Sequence, residues 1–284
     1  KLARRGFRTL RAIPSLAGLI RSWKCDLVYT NTITLCAGAL AARLAGRRHV
    51  WHIHEFGYED HALQFDWGRA LSLWMVDRLS AACIVNSRAV AAAYAGQIDE
   101  SKIHVVDYAV EVPPVEAGGA SRMEPRQNGV LRCAIVGALS PGKRQEDAIA
   151  ALEQVTRAGV PAELLVIGEG KEAYAEHLRG LVERLGLGGR VRFTGHVDDP
   201  QTWVAESDVV LMCSLNEAFG MVTVEAMKAG KPVIGTRSGG TPEIISEGET
   251  GLLYTPGKSS ELAEKIVYLQ ANPEAARAMG ERGR

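Results

Sequence analysis

With 284 residues the chain has room for two ordinary α/β domains or one large one, so length leaves the domain count to the motifs. At 46% hydrophobic, 23% charged and a formal net charge of +0, it reads as a soluble globular protein and not a general polyanion binder, so nucleic acid is not an expected partner. No run approaches the roughly 18 to 20 apolar residues of a membrane span, no signal peptide is visible, and five scattered cysteines without a C-x-x-C pair read as reduced core thiols, which makes a cytoplasmic protein the default expectation.

The chain opens on Lys1 and not Met, and its first stretch reads as the middle of something longer. Residues 1–24, KLARRGFRTLRAIPSLAGLIRSWK, carry seven basic residues and no acidic one. Such a face suits an ordinary helix packed on a first sheet with its arginines solvated, or peripheral contact with an anionic membrane; Pro14 is expected to interrupt it. Strands follow at 26–30 (DLVYT), 49–53 (HVWHI), 82–86 (ACIVN) and 103–107, with helical segments such as 35–45 and 62–79 between them. In the second of these, strand alternation puts His52 and His54 on one face. No third ligand has convincing spacing, so no metal is expected there. Ser87 can cap a helix over 88–94.

Residues 112–130 are rich in Pro, Gly and charge, have no hydrophobic period, and read as a linker between an N-terminal domain (1–111) and a C-terminal domain (131–284). Beyond it, strands are expected at 131–137, 162–168, 191–194, 209–213 and 232–235, each followed by a helix or a glycine-bounded turn. Strands alternating with helices in two series are the signature of parallel βαβ units.

The most informative stretch is 207–225, SDVVLMCSLNEAFGMVTVE, where a strand ends, Glu217 lies in a polar turn, and Gly220 opens a helix carrying Glu225. A helix starting there presents unpaired N–H groups and a positive dipole end, a ready site for a diphosphate that glycine lets approach closely. Glu217 can accept hydrogen bonds from sugar hydroxyls on the second phosphate, and Glu225 can reach a ribose diol. The plain alternative is that both glutamates only charge the first turns of a surface helix.

The sequence then continues KAGKPVIGTRSGGTPEIISEGETGLLYTPG over 228–257, and the whole run 136–257 resembles the donor-binding domain of glycosyltransferase family 4, in the GT-B fold class. Its paired glutamates with seven residues between them match Glu217 and Glu225, and its glycine-rich loop matches Gly239, Gly240, Pro242 and Glu243, with Thr241 as the expected helix cap. Upstream, VGALSPGKRQEDAIAAL resembles the segment whose arginine and lysine neutralise the diphosphate. Lys143 fits the lysine, while Ala138 stands where the arginine is expected and Arg144 points elsewhere. The segment after the third strand resembles the one whose backbone, here near His196 and Val197, faces the nucleotide base. His54-Glu55 is similar to the strand-ending pair beside the transferred sugar, and Asn86-Ser87 to a strand end near the cleft.

The resemblance therefore implies an α/β, GT-B type protein: two Rossmann-like domains with parallel sheets facing across a cleft, the first incomplete and the end slightly short. It implies a retaining, metal-independent transfer of a sugar from a nucleoside-diphosphate sugar to a hydroxyl of a glycan, lipid-linked or small-molecule acceptor, with no cofactor beyond the donor. The expected setting is cell-envelope glycan biosynthesis, in the cytoplasm or peripherally at the inner face of the membrane. His54, Glu217 and Lys143 are the expected catalytic residues. Gly137, Lys143, His196, Val197, Glu217, Phe219, Gly220, Met221, Val222 and Glu225 are the expected donor contacts. Ala138 and Cys213-Ser214, where the family often has Pro-Ser, are departures that keep open an inactive nucleotide-sugar-binding fragment or partner subunit. A sugar-nucleotide epimerase of the same fold class fits the GGTPEI pattern less well.

Overall fold

In a computed structural model of the chain, residues 2–57, 63–111 and 129–284 are described. They form two compact units, Lys1–Tyr108 and Ala109–Arg284. The division falls three residues before the expected end of the first domain at 111: Ala109, Val110 and Glu111 go with the second unit, where the Lys228 ammonium donates to the Val110 carbonyl. Most of the expected linker, 112–128, lies outside the described residues.

The first unit is a parallel four-stranded sheet in sequential order, β1 (Leu27–Thr30), β2 (Arg48–Ile53), β3 (Ala82–Val85) and β4 (Ile103–Val105). Among the described residues four helices accompany it, α1 (Leu2–Ser22), α2 (Ala37–Ala45), α3 (Arg69–Leu79) and α4 (Arg88–Tyr94). Alternation along β2 sends His49, Trp51 and Ile53 into the core and leaves Val50 and His52 half-buried on the other face. Pro14 does not interrupt α1. Leu10 and Pro14 lie on the exposed side, where the carbonyl that loses its helical donor is open to solvent, while Ala17 and Ile20 pack against Ala41 of α2. Phe7, Leu10, Leu19 and Trp23 remain exposed. Among the described residues no helix is long and apolar enough to cross a membrane.

The second unit is a parallel six-stranded sheet of β5 (Leu131–Val136), β6 (Ala162–Ile167), β7 (Val191–Gly195), β8 (Val209–Met212), β9 (Val233–Thr236) and β10 (Gly251–Tyr254). The last was not expected from the sequence. In space the order is β10-β9-β8-β5-β6-β7. The core on one face takes side chains from α5 (Gln145–Arg157), α6 (Glu172–Arg184) and α10 (Ser259–Ala271). On the other it takes them from α7 (Pro200–Ala205), α8 (Met221–Lys228) and the short α9 (Thr241–Ile244). A final helix, α11 (Pro273–Gly283), follows α10.

Strand order decides where a ligand fits. The chain starts at β5, builds outward through β6 and β7, then returns to the other side of β5 to lay down β8, β9 and β10. The loops leaving the C-terminal ends of β5 and β8 therefore part to opposite faces and open a crevice, the switch point at which open α/β sheets bind ligands.

Candidate functional site

Lys143 and Glu217 flank that crevice, one on the loop after β5 and the other on the loop after β8. Lys143 closes a single 3-10 turn, Pro141–Lys143, and Glu217 precedes the N-terminus of α8. Although 74 residues apart, the lysine Nζ and the glutamate Oε2 lie 2.6 Å from one another, with the side chains 29% and 17% exposed. Adjacent parallel strands bring them together, and a hydrogen bond from the Leu215 N–H to the Gly142 carbonyl, 2.9 Å, ties the two loops.

The Glu217 loop is pinned on its other side as well. Ser214 and Leu215 carbonyls accept from the hydroxyls of Thr236 (2.7 Å) and Ser238 (2.6 Å). The Glu217 carbonyl accepts from the Gly240 N–H at 2.7 Å. Gly239, at φ +58, sits so close that an added Cβ would stand 2.3 Å from the Glu217 carbonyl oxygen. The glycine-rich loop thus presses directly on the backbone that carries Glu217. Helix α9 begins one residue earlier than the sequence suggests: Gly240, not Thr241, is the N-cap, and the Thr241 hydroxyl is buried in the first turn.

Gly220 caps α8 at φ +108, a conformation that favours glycine. No side chain caps this terminus and no acidic residue occupies its first turn, so the N–H groups of Met221 and Val222 are left to solvent or to an anion. Met221 is exposed, Phe219 and Val222 half-buried. Glu225, one turn into the helix, is half-buried, and its carboxylate has no partner among the described residues.

Around the same edge of the sheet, glycines end three consecutive strands. Gly137 (φ +144) follows β5, Gly168 (φ +131) follows β6, and Gly195 (φ +69) ends β7. Gly137 and Gly168 are packed so that a Cβ on the latter would meet the Gly137 oxygen at 2.2 Å, and the Gly168 N–H continues to the Gly195 carbonyl at 3.0 Å. His196 is exposed and 3.7 Å from Asp198, whereas Val197 packs toward Trp203. Both lie two strands from the Lys143 loop.

Ala138 is exposed, and its carbonyl accepts from the Gln145 amide at 3.0 Å. Arg144 does not replace the expected charge: its guanidinium is held bidentately by Asp147, at 2.9 and 2.7 Å, which raises its pKa further. Asp147, buried, also accepts from the Gly257 N–H (2.9 Å) and the Tyr254 hydroxyl (3.3 Å). Sequence reasoning missed this residue, which looks like any acid in the first turn of a helix. Cys213 is fully buried beneath the loop, and burial pushes its thiol up to about 12, so it is no nucleophile.

In the first unit His54 follows β2. Its Nε2 is 3.3 Å from the carboxylate of buried Glu55, which also accepts from the Ile33 N–H (2.9 Å) and the Thr32 hydroxyl (2.5 Å). The His54 Nδ1 is buried without a hydrogen-bond partner among the described residues. Both His52 nitrogens face tyrosine hydroxyls, Tyr29 at 2.7 Å and Tyr108 at 3.5 Å, and burial lowers its pKa. Among the described residues no three His, Cys, Asp or Glu side chains gather as a metal site. Ser87 caps α4 through a 3.1 Å bond from the Val90 N–H, while the buried Asn86 Oδ1 has no partner among the described residues.

One cavity, of about 590 Å³, lies far from this chemistry, at the N-terminal ends of β5, β6 and β7, lined by Arg132, Glu163, Arg190 and Arg192 among others. Arg132 is already paired with Glu163 at 2.5 Å, and this is the sheet edge opposite the one at which open α/β sheets bind ligands.

Comparison with known proteins agrees with that geometry. Residues 124–284 match the profile of the glycosyl transferases group 1, and residues 1–112 that of Glycosyltransferase Family 4. Among curated relatives, the N-acetyl-alpha-D-glucosaminyl L-malate synthase of Bacillus anthracis is 39% identical over 142 residues, 50% of this chain and 36% of that protein. The 2-deoxystreptamine glucosyltransferase of Streptomyces kanamyceticus is 28% identical over 92% of this chain and 72% of its own length. Among solved structures, Anabaena Alr3699/HepE in complex with UDP superposes with a TM-score of 0.81 at 27% identity, covering 95% of this chain and 76% of that one. Two parallel α/β units of this topology and a match over both of them show that the chain belongs to the group 1, family 4 glycosyltransferases of the GT-B fold.

Proposed function

We propose that the chain is the greater part of a retaining glycosyltransferase that moves a sugar from a nucleoside-diphosphate sugar to a hydroxyl acceptor. The observation that carries this reading is the Lys143–Glu217 pair at the switch point, beside the uncapped N-terminus of α8. Departure of the diphosphate builds negative charge, and the lysine with the N–H groups near Gly220 and Met221 stabilises it without a divalent metal. Glu217 takes the sugar hydroxyls, Glu225 the ribose diol, and the main chain at Gly137, His196 and Val197 the nucleoside; Phe219 and Val222 shape the helix entrance. On the first unit, His54 is assigned to the acceptor side, its ring 3.3 Å from the Glu55 carboxylate.

UDP is the first nucleotide to try, because the structural relative was solved with UDP and with UDP-glucose. The acceptor is a sugar or a lipid-linked hydroxyl, and the basic helix α1 with exposed Phe7, Leu10 and Trp23 supports peripheral membrane contact at the cytoplasmic face. A second reading, a donor-binding partner without transfer activity, rests on Ala138, which leaves the crevice one cation short of the family pattern.

Calorimetric titration with UDP, GDP, ADP and their common sugars, beside Glu225→Ala, tests the reading. Preference for one diphosphate, weakened in the variant and indifferent to EDTA, is the expected result; no binding to any of them by folded protein would end the claim. Sugar release to water or acceptor then separates transferase from binding partner.

A further inference from the structure

Lys143 and Glu217 have separate duties in the reading above, one toward the diphosphate and one toward the sugar, yet without ligand they are bonded to each other. Resting on that reading, we propose that this pair is an exchangeable latch that makes the site prefer the intact sugar nucleotide to the spent nucleoside diphosphate.

Both backbones are held: Glu217 by the Gly240 N–H and the press of Gly239, Lys143 by its own 3.0 Å bond to the Ser140 carbonyl and by the Gly142–Leu215 tie. Only side-chain torsions remain free, so the pair forms and breaks without moving a loop. At 29% and 17% exposure it is drier than a surface ion pair, so neither group gives up its partner without a replacement. The Glu217 side chain also stands over the helix entrance, its Cγ 3.6 Å from where a Cβ on Gly220 would be. Its negative charge thus opposes an anion at the same N–H groups that would receive it.

Neither neighbouring candidate relieves the competition: Arg144 is committed to Asp147, and residue 138 is alanine. A bare nucleoside diphosphate must take Lys143 from Glu217 and leave that carboxylate without a donor. A sugar nucleotide supplies hydroxyl donors to Glu217, which then releases the lysine to the phosphates. Recognition of the sugar and neutralisation of the leaving group become one exchange, and loss of the sugar re-forms the pair and helps to expel the product.

The test is calorimetric titration of wild type, Glu217→Gln, Lys143→Met and the double variant with UDP, GDP, ADP and the matching glucose donors, after thermal melts confirm folding. Glutamine keeps the size and accepts from hydroxyls, but without the negative charge it holds an ammonium far more weakly. Glu217→Gln should bind the preferred diphosphate about three- to tenfold more tightly than wild type while gaining nothing for the sugar nucleotide. In the Lys143→Met background the same change should give a clearly smaller gain. Unchanged or weakened diphosphate binding in Glu217→Gln overturns the latch, and so does an equal gain in both backgrounds, which would be simple charge repulsion. Failure of every folded protein to bind any nucleotide would instead sink the donor-site reading itself. Should Glu217→Gln not fold, Glu217→Asp, with its charge drawn back by one methylene, should show an intermediate gain, and no gain there overturns the latch too.

Discussion

Replacing Gly239 by alanine tests whether the glycine-rich loop positions Glu217 or merely passes near it. The new Cβ would lie 2.3 Å from the Glu217 carbonyl oxygen, 2.8 Å from its nitrogen and 3.1 Å from its carbonyl carbon. All three are backbone atoms, so no side chain can swing aside. Restoring an ordinary contact of about 3.5 Å requires a separation of about 1 Å. The left-handed backbone adds about 1 kcal/mol for a residue with a Cβ. Gly248 provides the control: it is also left-handed, at φ +79, but an added Cβ meets nothing within 4 Å. Gly248→Ala should therefore cost about 1 kcal/mol in urea unfolding, and Gly239→Ala about 3 kcal/mol because the clash is added. A displacement of about 1 Å at Glu217 should also lower sugar-nucleotide turnover about 100-fold in Gly239→Ala alone. If the two variants lose equal stability and both keep turnover, the loop does not hold Glu217 and the argument from close approach fails.

Two further outcomes concern buried charge. Burial holds His49 at a pKa of about 4, below its ordinary 6.5, so between those values the unfolded chain binds a proton that the native chain refuses. Stability should hold above pH 6.5 and fall as the pH drops toward 4, by at most about 3 kcal/mol from this residue, and urea melts of His49→Gln should show a correspondingly flatter profile. Asp147→Asn should cost about 3 kcal/mol by leaving Arg144 unpaired, whereas Asp147→Asn with Arg144→Met should cost less than the two single changes summed. Strict additivity in that cycle would mean that the pair does not act as a unit.

Much of the fold was legible because buried parallel strands are short apolar runs bounded by glycine and polar residues, as LRCAIVG and AELLVIG are. Strand β10 was overlooked because GLLY is only four residues long and follows a string of turn residues; its partner β9 makes it a strand. Pro14 misled because a helix with solvent on one side tolerates a proline there. The residues that line the crevice could be singled out in the sequence, because Lys143, Glu217 and Gly220 stand where strands end and helical turns begin. Their contact could not: Lys143 meets Glu217 only because β5 and β8 lie side by side, and strand order is written in no local stretch of sequence. Asp147 escaped for a related reason, as nothing near it in the chain announces that Tyr254 and Gly257 close over it.

The glycines that end β5, β6 and β7 make a rim of bare peptide groups. The Gly137 and Gly168 N–H groups are already spent on the Ile167 and Gly195 carbonyls, so whatever rests on that rim meets main chain held in place by its own hydrogen bonds, with no side chain to exchange, and a point mutation there has little means to redirect recognition. Altered preference has to come from shifting the rim as a body or from the loops around it. Under the proposed function, a library aimed at a new nucleotide base would leave 137, 168 and 195 untouched and vary the exposed turn that carries His196 and Asp198.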